Sequence, residues 1–180
     1  MTELSNIRAI VRDRTTAPTD GKPFVVFLIG MRVNRLWAFP KWFWVASAMP
    51  PMIKELYQHP ELGFIAGEFL VNWRGVTSLQ YWRSVEELQA YAGARNREHF
   101  PAWTEFYRRI GRDGSVGIWH ETYRIDPGAV ETIYVNMPAW GLSRAFGREP
   151  VTDARNTARQ RMQADAVSSA ETHNQELDRN

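Results

Sequence analysis

The stretch PFVVFLIGMRVNR, residues 23–35, is an almost unbroken run of β-forming side chains. Its length and its lack of polar alternation predict a strand buried on both faces. Downstream, Met49, Ile53, Leu56 and Tyr57 recur at helical spacing and predict a helix from about Trp42 to His59, ended by Pro60 and Gly63. Pro50-Pro51 inside it is expected to kink or restart the helix. A hairpin follows: Leu62 to Trp73 and Thr77 to Trp82 are strand-like and joined through Arg74-Gly75. Ser84 has the chemistry of an N-cap, with Glu87 three residues on completing a capping box. Leu88, Tyr91 and Ala92 give that second helix its apolar stripe. It is expected to break near Gly93 to Asn96 and to resume through HFPAWTEFYRRIG (99–111). VGIWHETYRI (116–125) is the last core strand, and the turn Asp126-Pro127-Gly128 leads to a further short strand, ETIYVN (131–136).

The resulting order is β-α-β-β-α-β, an α+β arrangement of the ferredoxin-like type in which helices cover one face of the sheet. Strands that are apolar on both sides need a cover for the other face too. A second subunit is the economical cover, so patterning predicts a homodimer, a dimeric α/β barrel. The expected boundaries are a polar leader over 1–22, the barrel domain over 23–147, and a tail over 148–180. That last segment has no aromatic side chain and is expected to be flexible or partly helical.

Several function classes are set aside by composition. Twenty-two basic and 20 acidic side chains leave a net charge of +2, too weak a field to predict nucleic-acid binding. With no cysteine there is no disulfide, thiolate nucleophile or cysteine metal site. The start, MTELSNIRAIVRDRT, lacks the apolar centre of a signal peptide. The richest apolar run, Leu36 to Ile53, is interrupted by Pro40, Lys41, Pro50 and Pro51, whereas a membrane span takes about 20 predominantly apolar residues. A cytoplasmic protein without a transmembrane segment is expected. Walker, GxGxxG, HExxH and GxSxG motifs are all lacking. Eight Trp, 9 Phe and 6 Tyr exceed the needs of an ordinary core and favour an apolar ligand cavity or an interface.

YWRSVEELQAYA (81–92), REHFPAWTEFYRRIG (97–111), SVGIWHETYRI (115–125) and IYVNMPAWGL (133–142) together resemble the monooxygenase family related to the fumagillin-pathway enzyme. AMPPMIKELYQHPELGF (48–64) fits the first helix of that family, and the likeness covers roughly residues 23–143. The family is of the antibiotic-biosynthesis-monooxygenase type. The resemblance implies a dimeric barrel enzyme that oxidises a small hydrophobic or aromatic metabolite. Within the broader superfamily some barrels work without a cofactor, some bind haem, and some do neither, so a non-catalytic haem or small-ligand binding dimer is the alternative.

Three residues are candidates for catalysis. His99 opens the resumed helix and has the chemistry either to take a proton from a phenol or enol or to ligate haem iron; the bland alternative is a solvated helix-start histidine. His120 sits within the last core strand, on one face with Ile118 and Thr122. Buried there it would need a hydrogen-bond partner, and a satisfied structural histidine is the competing reading. Asn34, near the end of the first strand, can donate to an oxyanion or bound dioxygen, or simply cap the strand. Trp82, Tyr91, Trp103 and Phe106 form a candidate aromatic wall for substrate, with ordinary core packing as the alternative. Glu68 and Glu121 are acids within apolar strands, more simply explained by ion pairs with Arg32, Arg83 or Arg124. The cluster Trp37, Phe39, Trp42, Phe43 and Trp44 is hard to bury completely, and leaves cavity cap, dimer contact and membrane surface open.

Overall fold

A computed structural model of the chain describes residues 9–19, 21–94, 104–108, 110, 113–164 and 166. Two units divide it, Val25–Tyr123 and the pair of segments Met1–Phe24 with Arg124–Asn180. The first holds the sheet and its helices. In chain order these are β1 (Phe24–Val33), α1 (Phe39–Gln58), β2 (Phe64–Asn72), β3 (Gly75–Trp82), α2 (Val85–Gly93) and β4 (Val116–Ile125). The strands lie in the order β2-β3-β1-β4. The element order and this strand order together are the ferredoxin-like arrangement that patterning predicts.

Register follows from the hairpin. β3 pairs antiparallel with β1 from Val25↔Trp82 to Arg32↔Gly75. β2 pairs antiparallel with β3 from Phe64↔Trp82 to Asn72↔Gly75, with a register shift between Phe64 and Ala66. Gly75 is needed where the turn meets β1, since a Cβ there would stand 1.9 Å from the Met31 carbonyl oxygen. Gly63, at φ 92°, supplies the left-handed residue that ends the short 3-10 turn Pro60–Leu62.

α1 buries Val45, Met52, Ile53 and Leu56 on one stripe. Pro50 and Pro51 lie inside this single 20-residue helix, so it does not restart as the sequence suggests. Buried side chains before the pair, Val45, and after it, Met52, Ile53 and Leu56, keep the segment helical across the two missing amide donors, so packing overrides the local penalty. α2 is capped as expected: the Ser84 hydroxyl accepts from the Glu87 amide at 3.1 Å. The Glu87 carboxylate turns to Arg83 instead, at 2.7 Å.

In the second unit Thr15–Thr16 pairs antiparallel with Glu149–Pro150. Isolated bridges join Val11 to Met137 and Thr15 to Tyr134. The expected strand over 131–136 is therefore reduced to one bridging residue. Only Tyr134 in it finds a strand partner, Thr15, and Asn136 at φ 55° leaves the extended region. Arg161 is 7% exposed. Its guanidinium engages the Glu131 carboxylate and donates to the Arg155 and Asn156 carbonyls, both at 2.9 Å, which compensates the buried charge. Burial pushes the Tyr134 phenol above its ordinary pKa, and its oxygen accepts from the Ser143 amide at 3.2 Å. Among the described residues no helix is long and apolar enough to cross a membrane.

Candidate functional site

The layer between sheet and helices has two halves. In one, Val25, Ile53, Leu56, Phe64, Trp82, Leu88 and Tyr91 form a packed cluster. The other holds a second cluster, Met31, Val33, Val45, Phe106, Ile110 and Val116, and beside it a cavity of about 330 Å³ between α1 and the sheet, within the range of small-molecule sites. Its floor is made by helix-facing residues of all four strands: Ile29 and Met31 of β1, Phe69 and Val71 of β2, Val76 and Ser78 of β3, and Ile118 of β4. Its roof is α1, through Val45, Ala48, Met49 and Met52 at helical spacing, and Phe106 adds a wall. The space exists because α1 presents alanine and flexible methionine here, whereas Ile53 and Leu56 fill the other half. The chamber is open where Phe69 and Val71 line it, since both are exposed.

Among the described residues, one hydroxyl enters this lining. Ser78, 2% exposed, accepts a hydrogen bond from Gln80 Nε2 at 3.2 Å. Gln80 Oε1 in turn accepts from the Trp82 indole at 3.0 Å. Residues 78, 80 and 82 alternate onto one face of β3, so the strand itself sets up this relay. Because the Ser78 oxygen is the acceptor, its hydroxyl hydrogen is left to donate to a ligand oxygen. On the roof, Pro50 removes the amide that would ordinarily bond the Ala46 carbonyl, and Ala46 also lines the chamber.

The sequence candidates are placed less compactly than expected. His99 and Trp103 lie outside the described residues. His120 is exposed, not amid buried residues, because β4 is a sheet edge whose residues 119–124 meet solvent. Its ring lies 5.8 Å from that of Phe27, on the same side as Ile118 and two residues beyond the chamber wall. Trp119 takes the opposite face, where a Cβ on Gly30 would meet its ring at 2.9 Å. Asn34 is exposed, gives its amide hydrogen to the Gly114 carbonyl at 3.2 Å, and does not line the chamber. Trp82, fully buried, and Tyr91 belong to the packed half, with ring centroids 5.8 Å apart, and line a second cavity of about 30 Å³ that shares Ile29, Met49 and Met52 with the chamber; Tyr91 donates to Glu55 at 3.0 Å. Phe106 does line the chamber. Glu121 is exposed and accepts from the Tyr123 hydroxyl at 2.6 Å, while Arg83 is engaged by Glu87 and Arg124 by Asp126.

Haem held by an axial imidazole does not fit the described lining, which contains no histidine. Among the described residues no three or more His, Asp or Glu side chains gather to hold a metal.

The model of the family described as Monooxygenase af470-like matches residues 24–142. The chain belongs to this family. Monooxygenase af470 of Aspergillus fumigatus is 30% identical to it, over 71% of this chain and 52% of the relative, so the chain spans about half the length of that curated protein. Among solved structures, aldoxime dehydratase shares the fold at a TM-score of 0.55 and 14% identity, covering 77% of this chain and 41% of that one. SnoaB, a cofactor-independent oxygenase from Streptomyces nogalater, is similar at a TM-score of 0.40 and 13% identity, covering 56% of this chain and 90% of that one. The af470-like match coincides with the span that the sequence resemblance covers, and it ends at Leu142, before the polar C-terminal segment.

Proposed function

We propose that the chain is a monooxygenase-type enzyme that oxidises a small, largely apolar metabolite carrying one acceptor oxygen, held between α1 and the sheet. The carrying observation is an apolar chamber whose described lining offers one buried hydroxyl, Ser78, in a member of a monooxygenase-like family. The apolar walls bind the ligand body and exclude water, and Ser78 orients its oxygen.

In the cofactor-independent route, a histidine takes a proton from an activated carbon acid or phenol, and the electron-rich anion reacts with dioxygen. His120 and His99 are the candidate bases. His120, at the solvent edge of the chamber-facing side, can pass the proton on to water. Ser78 donates to the developing oxyanion, the role that the sequence suggests for Asn34. The balance is R–CH2–R′ + O2 → R–CO–R′ + H2O, so the substrate supplies all the electrons and one oxygen atom leaves as water. A homodimer, with Trp119 and Tyr123 exposed on β4 as contact surface, belongs to the same proposal and is read directly by light scattering.

The competing reading, a non-catalytic small-ligand dimer, is favoured by a described lining without an ionisable side chain. Oxygen uptake with anthrone, a flat ketone that enolises to a phenol, separates the two. Uptake matched by anthraquinone, and reduced roughly 100-fold or more in His120→Ala or His99→Ala, supports the enzyme. Anthrone that binds without oxygen uptake supports the carrier.

A further inference from the structure

Large exposed apolar side chains collect at one end of the Val25–Tyr123 unit. β1 runs out there against the β2–β3 turn, where Arg32 pairs with Gly75 and the Val33 amide donates to the Arg74 carbonyl at 2.6 Å. The turn raises Trp73, 88% exposed, beside Val71 at 83%, and the β1–α1 connection raises Trp37 at 81%, with Leu36, Phe39 and Phe43 also exposed. The arrangement is braced. The Trp42 indole donates to the Leu36 carbonyl at 3.1 Å, and the Phe39 ring meets those of Trp42 and Phe43 at 4.8 and 5.6 Å. An apolar surface of this kind on a water-soluble fold marks an interaction site, and tryptophan is the residue favoured at a lipid–water boundary.

Charge narrows the partner. Among the described residues of this end, Arg32 and Arg35 are exposed and Arg74 is half-buried, while Lys41 engages Asp113 and Arg108 engages Glu105, so the balance is basic. A second copy docked here would set basic against basic, which is unfavourable, whereas an anionic surface complements it. Phe69 and Val71, both exposed, also line the chamber, and Val71 stands beside Trp73 at this end.

We propose that this end docks on an anionic lipid surface. Trp37 and Trp73 enter the headgroup region, Arg32 and Arg35 meet lipid anions, and the mouth of the chamber faces the bilayer. Binding is independent of the chemistry inside the chamber, so the experiment reads binding alone. The full chain is floated with phosphatidylcholine vesicles, with or without about a quarter phosphatidylserine. Flotation is expected with the phosphatidylserine vesicles and to weaken with salt. Arg32→Glu and Arg35→Glu are each expected to lower partitioning roughly fivefold or more. Trp37→Ser with Trp73→Ser should abolish flotation while leaving the circular dichroism and Tm unchanged, since both side chains lie in solvent. Absence of flotation with either vesicle, equal flotation with neutral vesicles, or undiminished flotation of the double variant overturns the proposal. A dimer that the same double variant converts to monomer also overturns it, because the end is then a protein contact.

Discussion

α1 spans two halves of one layer that differ in only a few side chains. Over β3 near Trp82 it sets Ile53 and Leu56 against aromatic rings, and the space narrows to about 30 Å³. One to two turns earlier it sets Ala48 and Met49 over Ile29 and Ser78, and a chamber remains. Two packed clusters flank the chamber and give this unit much of its stability, and the chamber is where the layer forgoes contacts that a bulkier helix face would make. The cavity lies where the helix presents Ala46, Ala48 and flexible methionines between two packed clusters.

This contrast is open to direct attack. Trp82→Ala should cost about 3–5 kcal/mol in urea unfolding, as expected for a large aromatic removed from a filled core. A loss below about 1 kcal/mol would mean that the packed half does not hold α1. Ser78→Ala should cost about 1–3 kcal/mol, because it strands the Gln80 amide in a buried site. It should also weaken ligands bearing an acceptor oxygen more than hydrocarbons of the same shape, measured by displacement of a bound fluorescent dye. Ala48→Leu grows into the chamber and should change stability by less than about 1 kcal/mol while abolishing dye binding. If dye binding survives, the ligand lies elsewhere.

The smallest effect concerns the tie between Lys41 and Asp113. The Lys41 ammonium, with the Ser115 amide, holds the Asp113 carboxyl well below its ordinary pKa. A group whose folded pKa is depressed stabilises above its unfolded value, about 3.9, and loses that contribution as pH falls toward the folded one. Asp113→Asn should therefore unfold slightly more easily than the parent at neutral pH, with the difference vanishing in strong acid and shrinking in salt. A difference that grows on acidification would exclude this tie.

The four strands, both helices and the Ser84 cap were legible because each depends on local periodicity or chemistry. The pairing of Thr15–Thr16 with Glu149–Pro150 was not, since two-residue strands far apart in sequence leave no periodic trace. Likewise, ETIYVN has the β-propensity of a strand but lacks the partners of one. His120 follows the predicted alternation onto the face of Ile118, yet alternation cannot tell an edge strand from a central one, and edge position decides its exposure. Ser78 and Gln80 carried a visible signal: in TSLQYW, residues 77–82, polar side chains fall on the face of a tryptophan that must be buried. Buried polar positions of this kind point to a network, and the network leads to the chamber wall.

The Trp82–Gln80–Ser78 relay also bears on which isomer forms. A guest tethered by one oxygen to a rigid strand presents the same carbon on every turnover, and its product should be a single regioisomer. A hydrocarbon of equal size gains no such angular preference, tumbles among smooth walls, and should emerge, if oxidised at all, as a mixture.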